Sequence, residues 1–323
     1  MDLRELRERQ AWTLAQKIDH SIGVIEAFAS WYEGKVFVSF SGGKDSCVML
    51  HLVEMVLPDV PVVFVMTGCE SPSVCRFIRQ QQDRHRIEII RPKKTLRQVF
   101  ADCGFPLVSK RVSHDIDAVR RNPYCQSSRL KLRRDTVGRI PERWMYLLNE
   151  PYKVSDLCCY WLKKQPSHAY MTRTGRKPYI GLMASEGDTR AIAYIRRGGC
   201  NTFGEGRGAH PSSWPLAIWT EHDVWQFIKD RHIELPDIYE RGATRTGCMG
   251  CGFGAHLDHS TLDVMQREWP RWYVMVRNYE NNGVKYGDAI DLMMTKANTF
   301  PRHPWSSSRD DEPPGAFVFS EAK

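Results

Sequence analysis

Residues 39–50, SFSGGKDSCVML, set two glycines, three serine hydroxyls, a lysine and an aspartate between an apolar run and a run of helical period. Upstream, 35–40 (KVFVSF) is β-branched and aromatic, which predicts a strand. Downstream, 46–57 (SCVMLHLVEMVL) returns its apolar residues at helical spacing. A glycine loop between a strand and a helix is an anion site. Its small residues let backbone N–H groups close around oxygens, and the helix presents its positive end to the same charge. Ser39, Ser41 and Ser46 supply hydroxyls, Lys44 a point charge, and Asp45 a carboxylate suited to Mg²⁺. The spacing is not the Walker pattern G-x-x-x-x-G-K-S/T, because the glycines and the lysine are adjacent.

Working outward, 60–66 (VPVVFVM) is a wholly apolar strand of the kind buried on both faces of a parallel sheet. Residues 73–83 read as a helix and 87–90 (IEII) as a third strand. This β-α-β-α-β opening predicts an α/β fold with a doubly wound, mainly parallel sheet. A further strand is expected at 179–183, a helix near 188–197, and a helix over 220–231 capped by Thr220. Residues 3–32 read as one amphipathic helix, and a C-terminal helix carries Trp269, Trp272 and Tyr273. The final stretch, 306–323, is rich in Pro, Ser and charge and reads as a loosely held tail. The expected division is 1–240 for the sheet-bearing domain and 241–323 for a helical and loop extension.

Composition limits the function classes. The 323 residues carry a net charge of +8, ten tryptophans and ten cysteines. No run of about 18 apolar residues appears, so a membrane span is not expected. The charged N-terminus lacks an apolar signal core, which predicts a cytoplasmic protein. Ten cysteines in that setting point to metal or sulfur chemistry instead of disulfides. The positive balance suits a polyanionic partner.

Cys158-Cys159 and, far downstream, Cys248-Met249-Gly250-Cys251 form the second constellation. Four thiolates from two segments suit tetrahedral zinc or a 4Fe–4S cluster. Adjacent cysteines are awkward for a zinc ribbon, which favours the cluster, and Gly247, Gly250, Gly252 and Gly254 imply backbone wrapped closely about something. Cys200, in RRGGCN, competes as a ligand.

The SGGKDS loop after its strand resembles the PP-loop of the ATP pyrophosphatase superfamily, and Thr67-Gly68 resembles that family's second segment, with Met66 in place of a polar residue. The paired cysteines resemble the cluster-binding arrangement of assimilatory adenylylsulfate reductases. With Phe105-Pro106, Ser109-Lys110, Gly181, Met183-Ala184, Arg190 and Pro215-Leu216, they point to the phosphoadenosine-phosphosulfate-reductase-like branch over about residues 35–255. The resemblance implies ATP and Mg²⁺ as cofactors, a grip on the β,γ-pyrophosphate by residues 39–46 with Thr67 and Gly68, and attack at the α-phosphorus. Lys44, Asp45, Lys110 and Arg190 are then the catalytic candidates. Cys158, Cys159, Cys248 and Cys251 would hold the cluster.

Sulfonucleotide reductases carry a nucleophilic cysteine within an E-C-G-x-H-like motif near their C-terminus, and no cysteine follows Cys251 here. The chain is therefore similar to DNA phosphorothioation proteins of the SspD/DndC type, with a cysteine desulfurase as persulfide donor and DNA as acceptor. A reductase and a non-catalytic nucleic-acid-binding module stand as the other classes, and a homo-oligomer is left open. The basic run 119–143, with Arg120, Arg121, Arg129, Lys131, Arg133, Arg134, Arg139 and Arg143, suits a polyanion, with Tyr124 available to stack on a base. Lys163, Lys164, Arg196 and Arg197 would extend such a groove.

Overall fold

The computed structural model describes residues 2–133, 138–204 and 210–299. Arg134 of the basic run and the whole 306–323 tail lie outside them. Helices α1 (Leu3–Gln10) and α2 (Leu14–Trp31) precede β1 (Val36–Phe40), α3 (Lys44–Val56), β2 (Val62–Val65), α4 (Pro72–His85) and β3 (Ile87–Ile90). There follow α5 (Leu96–Cys103), β4 (Leu107–Val108), α6 (Lys110–Arg121) and α7 (Gln126–Leu132). Next, α8 (Leu157–Cys159) runs through a π turn at Tyr160–Lys164 into α9 (Gln165–Thr174), and β5 (Lys177–Ile180) and α10 (Asp188–Arg196) come after. The remainder is β6 (Asn201–Thr202), β7 (Ser212–Ser213), α11 (Glu221–Arg231), β8 (Gly252–Phe253), α12 (Ser260–Glu268), α13 (Pro270–Arg277), β9 (Glu280–Asn281), β10 (Val284–Lys285) and α14 (Tyr286–Thr299).

The central sheet has the order β3-β2-β1-β5-β7-β6, parallel except for β6 at its edge. This is the doubly wound α/β architecture expected from the alternating pattern. Val38 of β1 faces Val62 on one side and Tyr179 on the other. The chain winds toward β2 and β3 in one direction and reaches β5 in the other. In such sheets the crevice beyond the carboxyl ends, where the winding reverses, is the place for a ligand. The loop 41–43 leaves the carboxyl end of β1 at that point.

Local chemistry explains the main departure from the expected elements. The N-terminal stretch is two helices, because Thr13 caps α2 through a capping box with Gln16. The short strands β4 and β8 pair in parallel, Leu107 with Gly252, and bring the segment around Cys248–Cys251 against the end of α5. No periodicity announces strands of two residues. Met249, Met265, Val276 and Met293 join the same core as Val38, Phe40 and Phe64. Among the described residues, no helix is long and apolar enough to cross a membrane.

Candidate active site

The loop after β1 is shaped by its glycines. Gly42 has φ +72°, and a Cβ there would lie 3.1 Å from Ile78 Cδ1. A Cβ on Gly43 would run into Thr246 Oγ1, so this backbone lies close against the segment that carries Thr246. Ser46 Oγ donates to the Gly43 carbonyl at 2.8 Å, and Ser41 Oγ lies 3.0 Å from Ser46 Oγ, which ties the loop onto the first turn of α3. The N–H groups of that turn have no intrahelical acceptor. One of them, from Lys44, donates to the Tyr239 hydroxyl at 2.9 Å. Burial and the nearby Asp45 carboxylate push the Tyr239 phenol well above its ordinary range, so the hydroxyl is neutral. Ser39 stays within the sheet, opposite Val63 and Ile180.

Charge gathers beside the loop. Lys44 is buried, with Nζ 3.1 Å from Asp45 Oδ1 and 3.6 Å from Glu221 Oε1. Arg190, at the start of α10, pairs with Glu186, and its Nε is buried with no hydrogen-bond partner. Burial lowers the Arg190 pKa and raises that of Glu186, and the Asp45 charge bears on both. Lys44, Asp45, Glu186 and Arg190 are thus one electrostatic group. It has one unused guanidinium N–H, which an anion could take.

Thr67 and Gly68 follow β2. The Glu70 carboxylate accepts from Thr67 Oγ1 at 2.5 Å and from the Gly68 amide at 3.0 Å, drawing the turn into a small anion-holding curl. The next residue is Cys69, whose amide donates to Thr67 Oγ1 at 3.1 Å and whose carbonyl accepts from the Met249 amide at 2.8 Å. The turn beside the 41–43 loop is therefore stitched directly to the second cysteine segment.

Cys69, Cys158, Cys159, Cys248 and Cys251 line one pocket with Leu96, Phe100 and Lys163. All ten cysteines are free thiols. A hydrogen bond from Cys158 draws Cys159 down to about 6; burial opposes it, and Lys110 and Lys163 add to the lowering. A hydrogen bond from Cys69 brings Cys248 to about 7, again against burial and with help from Lys163. Burial pushes Cys251 up to about 12. The Lys163 ammonium is raised above its ordinary range, first by Cys248 and also by Cys159. The pocket thus sets two thiols whose pKa values are drawn down beside a buried ammonium. Among the described residues, no three His, Cys, Asp or Glu side chains are gathered as a metal site. The same pocket is nonetheless lined by these four thiols, two of them with lowered pKa values, and thiolates are the ligands of iron–sulfur clusters.

Cys158, Cys159, Cys248 and Cys251 line that one pocket, although no three of them are gathered as a metal site. Cys69 was missed, although it follows Thr67-Gly68 immediately. Cys200 does not join them; it is buried in the main core, 3.7 Å from Tyr194 Oη and His20 Nε2. Lys110 opens α6, where its charge bears on Cys159 and Lys164. The basic run 119–143 is partly engaged locally. Arg120 donates to the Tyr152 and Glu150 carbonyls, Arg121 pairs with Asp117, and Lys131 pairs with Asp115 at 2.7 Å. Tyr124 is 81% exposed. Arg197 lies 3.9 Å over the Trp214 ring and donates to Ser212.

A family model described as the phosphoadenosine phosphosulfate reductase domain matches residues 35–126 and 144–252. The chain is 23% identical over 225 residues to an adenosine 5'-phosphosulfate reductase of Staphylococcus epidermidis, covering 68% of this chain and 71% of that one. It is 27% identical over 238 residues to sulfate adenylyltransferase subunit 2 of Mycolicibacterium gilvum, covering 68% and 62%. A superposition on phosphoadenylyl-sulfate reductase from Candida auris covers 77% of this chain and 96% of that one at 12% identity, with a TM-score of 0.43.

Proposed function

This chain belongs to the phosphoadenosine phosphosulfate reductase domain family, and from that premise we propose that it is an ATP pyrophosphatase that activates a DNA backbone phosphate for replacement of an oxygen by sulfur. The observation that carries the reading is the chain Thr67-Gly68-Cys69, whose hydrogen bonds join the turn beside the phosphate loop to the thiol pocket. In this reading nucleotide chemistry and sulfur chemistry share one continuous structural element.

In this reading the first-turn amides of α3, Ser41, Ser46 and Lys44 hold the β,γ-pyrophosphate. Arg190 turns its unpartnered Nε toward the α-phosphate, where charge develops. Asp45 would hold Mg²⁺, which neutralises phosphate charge when bound. A non-bridging oxygen of the phosphodiester attacks the α-phosphorus, the α–β oxygen bond breaks, and pyrophosphate leaves. A persulfide from a desulfurase then attacks the diester phosphorus and AMP departs. A thiol reductant cleaves the remaining S–S bond, leaving the phosphorothioate. Cys158, Cys159, Cys248 and Cys251 would hold a 4Fe–4S cluster, which when bound supplies electrons or a resting place for sulfur. Lys163 balances thiolate charge in that pocket.

The relatives named as adenosine 5'-phosphosulfate reductases favour a second reading, in which the same loop holds a sulfonucleotide and the product is sulfite. One experiment separates them. The protein is given ATP, Mg²⁺, DNA, a persulfide donor and a thiol, and the nuclease digest is analysed for phosphorothioate dinucleotides by mass spectrometry. In parallel it is given adenosine 5'-phosphosulfate and the thiol, without ATP. Phosphorothioate in the first mixture supports sulfur transfer. Sulfite in the second, with none in the first, replaces it with reduction.

A further inference from the structure

Beyond the carboxyl ends of β2 and β3 lies a second opening of about 330 Å³, within the size range of small-ligand sites. Three parts of the chain wall it: the turn at Met66–Gly68, the stretch from Arg91 to Arg97, and the face of α13 with the residues after it. Its lining is basic and aromatic. Arg91, Lys94 and Arg97 bring three positive charges, and Trp272 and Tyr279 bring half-buried rings. Lys94 is committed, with Nζ 2.8 Å from Asp102 and 4.5 Å from the Trp161 ring centroid. Arg91 and Arg97 are exposed, and among the described residues neither forms a salt bridge. At the N-terminus of α5, Thr95 and Gln98 form a capping box.

Position distinguishes this opening from the basic run 119–143. Thr67 and Gly68 form its near wall, so it adjoins the turn beside the phosphate loop. Leu96 lines both it and the thiol pocket. A ligand seated here has the nucleotide side on one flank and the sulfur side on the other. A phosphate that must be adenylated and then thiolated requires that placement.

We propose that this opening seats the acceptor: a single-stranded nucleic acid segment whose phosphates lie against Arg91 and Arg97 and one of whose bases stacks on Trp272. The proposal rests on the sulfur-transfer reading of the same site. Aromatic stacking is tolerant of base identity and contributes about 1–3 kcal/mol per base, while each phosphate contact adds to the salt dependence of binding. The cradle therefore takes a strand without strong sequence preference. An extruded or already unpaired segment fits it better than an intact duplex.

The test uses the full chain, a fluorescein-labelled oligothymidylate of about eight nucleotides, and an Arg91→Ala/Arg97→Ala double variant. Anisotropy titrations at several salt concentrations are run beside ATP titrations on the same preparations, and melting temperatures check the fold. The double variant is expected to bind the oligonucleotide about tenfold or more weakly, with a salt slope smaller by about two. ATP affinity and melting temperature are expected to be unchanged. Trp272→Leu is expected to weaken oligonucleotide binding about fivefold or more without altering the salt slope. Unchanged oligonucleotide affinity in both variants overturns the assignment while leaving the sulfur-transfer reading intact. Loss of ATP affinity with oligonucleotide binding retained also overturns it, making the opening part of the nucleotide site. Absence of oligonucleotide binding by the unaltered protein removes the acceptor reading itself.

Discussion

The Tyr239 hydroxyl accepts the Lys44 amide at 2.9 Å, so one of the first N–H groups of α3 is held by a side chain from the far half of the sequence. Thr246, from the same segment, comes down on Gly43. The segment is anchored from below: Arg241 bonds Asp237 at 2.7 Å and Glu268 at 2.6 Å, and Ser73 bonds Asp237. In the function proposed, an incoming phosphate competes with Tyr239 for the Lys44 amide. Two residues beyond Thr246 lies Cys248.

Removing that competitor gives the first prediction. Tyr239→Phe leaves the amide free and retains the ring, so pyrophosphate should bind about two- to tenfold more tightly, the equivalent of about 0.5–1.5 kcal/mol for a typical hydrogen bond. Isothermal titration of both proteins with pyrophosphate and Mg²⁺ checks this. Equal or weaker binding by the variant would mean that Tyr239 is a ligand or a bystander.

The close approach at Gly43 is testable by a double-mutant cycle. Gly43→Ala should destabilise by about 1–3 kcal/mol, the usual effect of overpacking, because its new methyl meets Thr246 Oγ1. Thr246→Ala should recover a substantial part of that loss in the Gly43→Ala background. Additive effects in urea unfolding would show that the two residues do not share the space.

The thiol pocket has its own readout. In metal-free protein, thiolate absorbance followed against pH should show early deprotonations near the values to which Cys159 and Cys248 are drawn, about 6 and about 7. Folded pKa values below the unfolded thiol value of about 8.5 contribute stability that is present above that value and lost as pH falls through the folded ones. Lys163→Met removes a cation that favours both thiolates, so both midpoints should rise. Unmoved midpoints would contradict the role given to Lys163.

Much of this arrangement was readable from the chain itself. Strong local patterns marked β1, β2, β3 and α3, and Thr220 announced the start of α11. The loop at 41–43 lay between a strand and a helix as its glycines required, with Lys44, Asp45 and Ser46 in the first turn of that helix. What escaped notice depends on long-range closure. Tyr239, Thr246 and Glu186 reach the loop only when the sheet is assembled, and nothing local distinguishes them from core or surface residues. The two-residue strands β4 and β8 carry no period, yet their pairing places Cys251 beside α5. Arg91 to Arg97 read as an ordinary connection. Their meaning comes from α13, which closes the far wall.

Lys17 and Asp223 supply a prediction about pH. Their 2.6 Å bond is buried and joins α2 to α11, and Asp223 also accepts from the Thr220 amide and hydroxyl. Burial pushes the Asp223 carboxyl up, but these bonds outweigh it, and its pKa lies below the ordinary carboxylate value. A depressed carboxylate stabilises the fold above its unfolded pKa of about 3.9, and that contribution is lost as pH falls through the folded value. Lys17→Met should destabilise by about 3–5 kcal/mol at neutral pH, because it strands a buried charge. The gap between the two proteins should narrow below about pH 4. A gap independent of pH would assign the loss to packing.

The central claim, that the 41–46 loop grips pyrophosphate for cleavage between the α- and β-phosphates, is tested most directly by the products formed from ATP. With Mg²⁺, single-stranded DNA, a persulfide donor and a thiol, nucleotide chromatography should show AMP and pyrophosphate in equal amounts, and neither should form with Lys44→Ala or Ser41→Ala. ADP with inorganic phosphate, or undiminished AMP formation by those variants, would contradict it.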